Sequence, residues 1–454
     1  MVVTISATAR LERVRLPWRL EPSEVLAALQ SEPLPFALVG AWSGGGAIIS
    51  SDPVRIADES EDPFALLDEL PEVDGAWGTA GAVGGGWFGW LGYRLATHVE
   101  HVPLVSERPV VLPDFHLAYY DNVLRLDTDG VWWFEALVTR ERRAELDDRL
   151  ARLWDELADA QTLGEVPNDS GFGPTQALRL TRETAEYHLR AVAECRERIL
   201  AGEIFQANIC LRLESEYDGS ATTLMREALR HGRVPQYSAA FDIDDGGIVS
   251  LSPELFLRRE GRKIRTGPIK GTTSRPGDPA RAAEALEHLR TSSKDAAEHV
   301  MIVDLMRNDI GRVCEYGSVV APRVPTAEPH PGLWHLVTNI EGRLRPEVDD
   351  AQLLHATFPP GSVTGAPKVQ SMIVISELET TGREAYTGAI GFASPIAGLE
   401  LNVAIRTLEL GEGRLWLGVG GGIVADSDPE AELEEALIKA RPVAEAIGTT
   451  VISE

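Results

Sequence analysis

The sequence predicts an α+β fold, and three observations carry that reading. Runs of β-branched and aromatic residues lie between Gly, Pro and Asp turns; hairpin signals such as Asp244-Asp245-Gly246-Gly247 and Glu260-Gly261 join several of them; helical stretches fall between groups of strands without regular βαβ alternation. Hairpins connect antiparallel neighbours, so the sheets should be antiparallel.

The elements follow in order. Residues 35–50, 84–93 and 109–138 read as short strands, with Trp and Tyr among Gly and Pro turns, which makes the N-terminal part mainly β. Helical stretches run from Glu141 to Ala160 and from Thr181 to Ala201. Between them, residues 164–174 are rich in turn formers. The chain therefore divides into a mainly β region 1–165, a linker or surface loop 166–178 and a second region 179–454. Strands near 205–216, 237–243, 247–251, 255–259 and 262–266 come next, then a helix from Pro279 to Leu289. Another helix starts at Ser292 or Ser293, whose hydroxyl can cap free N–H groups, and runs through Met306. A further one follows Pro367, and the last takes Asp428 as N-cap and Pro429 in its first turn, ending near Ala446.

At 454 residues, and about 150 residues per domain, the chain has room for about three domains or one large intertwined one. Its net charge of −27 argues against binding a nucleic-acid backbone or an anionic membrane, leaving proteins and small molecules as partners. The N-terminus lacks a signal-like apolar stretch and no run approaches the ~18 apolar residues of a membrane span, so a cytoplasmic location is expected. Cys195, Cys210 and Cys314 form no CxxC, which points away from disulfides and zinc. The 43 basic residues comprise 38 Arg and only 5 Lys: Lys263, Lys270, Lys294, Lys368 and Lys439. Arg and Lys exchange freely on a solvated surface, but not where a compact ammonium or a nucleophilic amine is needed, so the surviving lysines are candidate site residues.

Several stretches carry possible chemistry. In Pro268-Ile269-Lys270-Gly271-Thr272, flanking Pro and Gly predict a tight turn beyond a strand end that presents Lys270. Around it, Arg258 to Arg281 is strongly basic, either as a solvated hairpin or as part of a site. Asp295 and Glu298 share a helix face with Ile302, as do Glu432, Glu435 and Lys439 on the last helix. Carboxylates without His or Cys companions suit Mg²⁺, although acids at 426–435 equally suit a helix N-terminus. The small residues and hydroxyls of Pro359 to Lys368 precede a helix, a natural anion site, and Pro367 excludes a Walker loop. Bare amides in Gly418-Val419-Gly420-Gly421-Gly422 offer a second one, and Arg406 presents either a bidentate fork for a carboxylate or a structural ion pair. His335, between apolar neighbours, reads as a core histidine or a site residue.

Taken together, these stretches resemble the chorismate-utilising enzymes, the family that includes aminodeoxychorismate synthase component I and anthranilate synthase component I. The matching pieces are Gly202 to Asn208, Ser252-Pro253-Glu254-Leu255-Phe256, Pro268 to Thr272 with Arg275, Glu298-His299, Asp304 to Asp309, Pro360 to Lys368, and Gly420 to Val424 leading to Glu435 and Lys439. They cover 180–446 densely and extend to Gly84 to Tyr93 and Pro113-Asp114. Within that family Lys at position 270 marks the aminodeoxychorismate synthases, where anthranilate synthases carry Ala. Gln206 stands where relatives that make isochorismate or salicylate carry a water-activating Lys.

The resemblance implies an anthranilate-synthase-like fold, two large antiparallel sheets packed together with helices outside and the N-terminal region intertwined with a chorismate-binding catalytic region. It implies Mg²⁺ held by Glu298 and Glu435, with Arg406, Lys439, Tyr386, Thr364, Gly365, Gln206, Thr272 and the amides of Gly421 and Gly422 around the substrate. Glu254 would be the general acid, and Lys270 the amine that attacks C2 of chorismate, its pKa lowered by cations such as Arg275 and by the metal. Ammonia would then give 4-amino-4-deoxychorismate, on the route to 4-aminobenzoate and folate. The chain shows no glutaminase nucleophile, so a glutamine amidotransferase partner is expected. Ala37 to Ser43 departs from the motif of tryptophan-binding relatives, which implies no tryptophan feedback. The competing expectations are an anthranilate synthase component I, with His335 or a neighbouring group assisting pyruvate elimination, and a non-catalytic chorismate-binding subunit.

Overall fold

The computed structural model describes residues 8–75, 81–108, 112–163, 174, 176–232, 234–291, 293–330 and 333–453, with the backbone alone at 163, 272, 274, 293–295, 297, 330 and 333. Two large sheets, of fourteen and eight strands, pack together, and a three-stranded sheet stands beside them. Neighbours are antiparallel except at Ala9–Arg15 with Val73–Asp74 and Leu178–Leu180 with Val451–Ser453.

The strand sequences explain the layering. In Phe36–Gly40, Phe36 and Leu38 enter the core between the large sheets, while Ala37 and Val39 enter a second core roofed by helices. A strand buried on both faces is apolar at every position, so it reads as a continuous run. Between the sheets, Phe36 stacks on Phe88 at 4.5 Å and on Phe241 at 5.3 Å, and Phe88 stacks on Phe392 at 5.5 Å. Outside the smaller sheet, helix Ser293–Gly311 contributes Ile302, Met306 and Ile310 to a third core. No helix among the described residues is long and apolar enough to cross a membrane.

The first 138 residues contribute to both large sheets. Phe36–Gly40 pairs with Tyr237–Ile243, and Gly86–Leu91 pairs with Ala389–Ser394. Trp42, in the departing Ala37 to Ser43 stretch, is buried edge-on to Tyr237 and donates from Nε1 to the Ser238 carbonyl at 2.9 Å.

Helix ends follow their capping residues. Thr181 accepts from the Thr184 N–H ahead of Arg182–Leu200, and Asp428 from the Ala431 N–H ahead of Pro429–Ala446. The expected linker lies mostly outside the described residues, as does Ser292. Two expectations need correction. Lys270 is not on a turn but within strand Ile269–Ser274, whose register against Leu333–Val337 shifts between Ile269 and Thr272, with Gly271 at φ +81°. A bulge thus turns the chain where a loop was expected. The basic Arg258–Arg265 hairpin is part of the scaffold: Arg259 pairs with Asp350, Arg262 with Glu315, and Lys263 with Glu341 at 3.1 Å.

Candidate active site

The bulge at Gly271 directs Lys270 towards the Gly361–Val363 turn, where its Nζ donates to the Ser362 carbonyl at 3.0 Å. Burial lowers its pKa, Lys439 adds to the lowering, and the carboxylates of Glu254, Glu298 and Glu435 oppose it. One ammonium therefore senses groups from four segments that are far apart in sequence. Arg275, expected to depress Lys270, instead lies over the Trp334 ring at 5.1 Å.

Glu254 links strands Gly246–Ser252 and Leu255–Glu260. Its N–H donates to Ser252 Oγ at 3.2 Å, and that hydroxyl donates to the Val403 carbonyl at 2.6 Å, which fixes the corner. Burial raises the Glu254 pKa to about 7, opposed by the Ser362 hydroxyl, Lys270, the Ile269 backbone and Arg406. The Ser362 hydroxyl is buried without a well-formed hydrogen bond, so it acts on Glu254 by proximity. A carboxyl titrating near neutrality beside a destabilised ammonium is a proton donor paired with a latent nucleophile.

Arg406 lies between strands Gly398–Val403 and Thr407–Gly411 at φ +51°, a conformation a non-glycine residue keeps only where its surroundings enforce it. Burial pushes its pKa down to about 10, with Glu254 opposing. Its Nη2 stands 3.4 Å from Nε2 of the buried His335. Across the strand pair, His335 faces Thr272, whose side chain lies outside the described residues.

Gln206 opens strand Gln206–Glu216, and its Nε2 occupies the space beside Gly422, only 2.0 Å from where a Cβ would stand. Its Oε1 is buried without a partner. A Cβ on Gly365 would come within 2.2 Å of the Gln206 carbonyl, so glycine alone allows that approach. Thr364 is fully buried; its hydroxyl donates to the Gly361 carbonyl at 3.2 Å, and its own carbonyl accepts from the Asn208 N–H at 2.7 Å. On helix Pro429–Ala446, Lys439 Nζ lies 2.8 Å from Glu435 Oε1 and donates to the Gly420 carbonyl at 3.0 Å. Gly421 is bare beside this group: a Cβ there would be 3.0 Å from Glu432 Oε2, 3.6 Å from Lys439 Nζ and 4.0 Å from Glu435 Oε1.

Lys270, Glu254, Glu298, Glu435, Lys439 and Arg406 are thus brought together, with Gln206, Gly365, Gly421 and Gly422 on the adjoining strands. Tyr386 is placed differently. Its hydroxyl meets Cys210 Sγ at 3.4 Å and its ring covers Gly418, so it belongs to a buried cluster with Glu379 and Arg383. Lys368 is an anchor, its Nζ donating to Asp309 Oδ2 at 2.5 Å and to the carbonyls of Thr357 and Pro359 at 2.8 and 3.0 Å. The side chains of Asp295 and Lys294 lie outside the described residues.

Three residues given no role by the resemblance also stand here: Ser362, Glu432, and His299, whose pKa burial depresses, with the Lys270 backbone opposing and the Lys270 charge adding to it, and whose Nε2 meets Thr338 Oγ1 at 2.6 Å. All three lie inside stretches singled out by the sequence, but their side-chain directions depend on the fold. Among the described residues no three His, Cys, Asp or Glu side chains gather as a ready-made metal cage. Glu298 and Glu435 both act on Lys270, and Gly421 leaves space beside Glu432 and Glu435, so a cation here would have one or two carboxylates and would complete its shell with water and substrate oxygens, as Mg²⁺ does.

Residues 41–445 match the family model for chorismate binding enzymes. The chain belongs to the chorismate-binding enzyme family. The match runs from the Trp42 turn to the last helix, so the family spans both large sheets and every expected site residue. Aminodeoxychorismate synthase component 1 of Klebsiella aerogenes is 39% identical over 361 residues, 78% of this chain and 75% of the relative. The protein of that name in Escherichia coli K12 is 36% identical over 360 residues, 78% and 75% of the two chains. Anthranilate synthase component 1 of Streptomyces coelicolor is also 36% identical, over 376 residues covering 80% and 73%. The solved anthranilate synthase component I of Streptococcus pneumoniae superposes with a TM-score of 0.74 at 27% identity, covering 98% of this chain and 94% of that one. A menaquinone-specific isochorismate synthase from Escherichia coli, at TM-score 0.70 and 18% identity over 98% and 96% of the chains, shares the fold. The expected anthranilate-synthase-like fold is the one observed.

Proposed function

We propose that this chorismate-binding enzyme is an aminodeoxychorismate synthase component I, converting chorismate and ammonia to 4-amino-4-deoxychorismate. The observation that supports it is Lys270 itself, a primary amine depressed by burial and pointed at the Ser362 turn beside a carboxyl raised to about 7. The Lys270 nitrogen bonds to C2 of chorismate, the ring double bonds shift, and the C4–oxygen bond breaks. Glu254 gives its proton to the departing hydroxyl, which leaves as water, and then takes the proton released by the lysine nitrogen. Ammonia next bonds to C4, the double bonds shift back, and the C2–nitrogen bond breaks. A proton from the incoming nitrogen returns to lysine by way of Glu254.

Arg406, positioned by His335, and Lys439 would hold the substrate carboxylates with the amides of Gly421 and Gly422. Thr364, Gly365, Gln206 and Thr272 would shape the walls, and Tyr386 would support the glycine strand from behind. Glu298 and Glu435 would hold Mg²⁺, which supplies Lewis-acid polarisation at the ring carboxylate. Ammonia would come from a glutamine amidotransferase partner, because burial raises Cys195 and Cys210 to about 12 and Cys314 to about 11, unsuited to glutamine attack. The product would feed 4-aminobenzoate and folate synthesis in the cytoplasm.

The Streptomyces coelicolor relative keeps an anthranilate synthase in contention. Mass spectrometry of the product from chorismate, Mg²⁺ and ammonium salt separates the readings. The expected product is aminodeoxychorismate, lost on chelation of the metal and at least about 100-fold reduced in Lys270→Ala. Anthranilate in the wild-type reaction would refute the assignment, and no turnover at all would favour a non-catalytic chorismate-binding subunit.

A further inference from the structure

A cavity of mixed polar and apolar lining lies between helix Arg182–Leu200, strand Gln206–Glu216 and the Leu378–Tyr386 segment, with Thr184, His188, Cys210, Arg212, Arg383 and Tyr386 in its wall. Its space, which opens in part to solvent, has room for little more than one water-sized molecule.

His188 is 3% exposed, and neither ring nitrogen makes a well-formed hydrogen bond. Burial pushes its pKa down to about 4, with the Cys210 backbone partly opposing. The ring is therefore neutral, with one N–H, which the Cys210 backbone can engage, and one bare lone pair. The charges in the wall are already matched: Arg383 Nη2 lies 2.6 Å from Glu379 Oε1, and Arg212 Nη2 lies 2.9 Å from Glu409 Oε2. A desolvated cation finds no spare counter-charge in that wall, whereas a small neutral hydrogen-bonding molecule meets an acceptor and apolar room.

The cavity shares its inner wall with the candidate active site. Cys210 stands opposite Gly420, whose carbonyl accepts from Lys439. Arg383 donates to the carbonyls of Val363 at 2.9 Å and Asn208 at 2.5 Å, tying the cavity wall to the turn that precedes Thr364. By strand alternation Arg212, Cys210, Asn208 and Gln206 share one face. Their partners in register for the first three are Gly418, Gly420 and Gly422. At the end of that row Gln206 Oε1 is buried and unpartnered.

We propose that this cavity admits the nitrogen nucleophile: His188 accepts an N–H of one neutral ammonia molecule, held one wall of side chains away from the candidate active site. The inference rests on the aminating reaction described above. The test measures kcat/KM for ammonia, with ammonium chloride at fixed pH, and for chorismate, in the purified chain and in His188→Leu. Leucine removes the acceptor while replacing an unsatisfied buried ring by an apolar side chain, so the thermal midpoint should not fall. About a tenfold fall in kcat/KM for ammonia with KM for chorismate unchanged is expected, the effect of one lost hydrogen bond; His188→Gln should recover most of it. An unchanged ammonia kcat/KM, or an equal loss towards both substrates, overturns the proposal. Should the leucine variant misfold, ¹⁵N spectra of histidine-labelled wild type decide: ammonia should shift the His188 ring signals saturably, and no shift overturns the proposal. Failure of wild type to form aminodeoxychorismate would instead count against the reaction assigned above, leaving the ring titration to judge the cavity.

Discussion

At the scale of single residues, Glu254 makes the sharpest prediction. Its carboxyl is raised from 4.5 to about 7 by burial, so the folded state holds this proton more tightly than the unfolded chain does. The stability it contributes is complete below about pH 4.5 and is lost as pH rises through about 7. A shift of this size corresponds to about 3 kcal/mol above neutrality. Glu254→Gln should therefore be more stable than wild type in urea at pH 8, with the gain gone at pH 4, while turnover falls about 100-fold or more. A variant destabilised at pH 8 would contradict the burial argument. Lys270 was visible in the sequence because lysine is so scarce that each survivor needed a reason. The expected role of Arg275 failed because sequence gives a charge but not the direction of its side chain, and here Trp334 takes the guanidinium.

At the scale of elements, the paired strands Gln206–Glu216 and Arg414–Ile423 set the geometry of the site. Glycine meets a different neighbour at each position of the latter. A Cβ on Gly420 would lie 2.3 Å from the Ile209 carbonyl, fixed backbone, whereas at Gly422 it meets the movable amide of Gln206. Gly420→Ala should thus lower the denaturant midpoint markedly, by a few kcal/mol. Gly422→Ala should fold with nearly wild-type stability yet lose activity, read out by urea titration beside steady-state rates. Helices flagged by caps were legible, as Thr181 and Asp428 show. Helix Asp350–Thr357 escaped notice although Asp349 and Gln352 form a capping box, because its eight residues carry little periodicity. The Lys270 bulge was hidden as well: Pro and Gly flank turns and bulges alike, and only the Leu333–Val337 partner distinguishes them.

At the scale of the whole molecule, the aromatic layer between the sheets joins N-terminal to C-terminal strands. Phe36 is fully buried against Phe88, Tyr120 and Phe241. Phe36→Ala should cost about 3–5 kcal/mol, measured as one cooperative shift in guanidinium unfolding. Two separate transitions would show that the two parts of the chain unfold independently. The α+β class was legible from hairpin signals, and the net charge of −27 correctly cast the basic hairpin as an exception. Its use was not legible, since the carboxylates that match it, Asp350, Glu315 and Glu341, lie 53 to 91 residues away in sequence.

The pairing of Gly86–Leu91 with Ala389–Ser394 also sets a timetable on the ribosome. About 300 residues separate the partners, roughly 15–60 s of synthesis at about 5–20 residues per second. Through that interval an apolar edge strand has emerged and its mate has not been made. Such edges recruit other chains, so this protein's yield should depend on whether something shields the nascent N-terminal strands. Slower elongation, which helps many proteins fold, should harm this one.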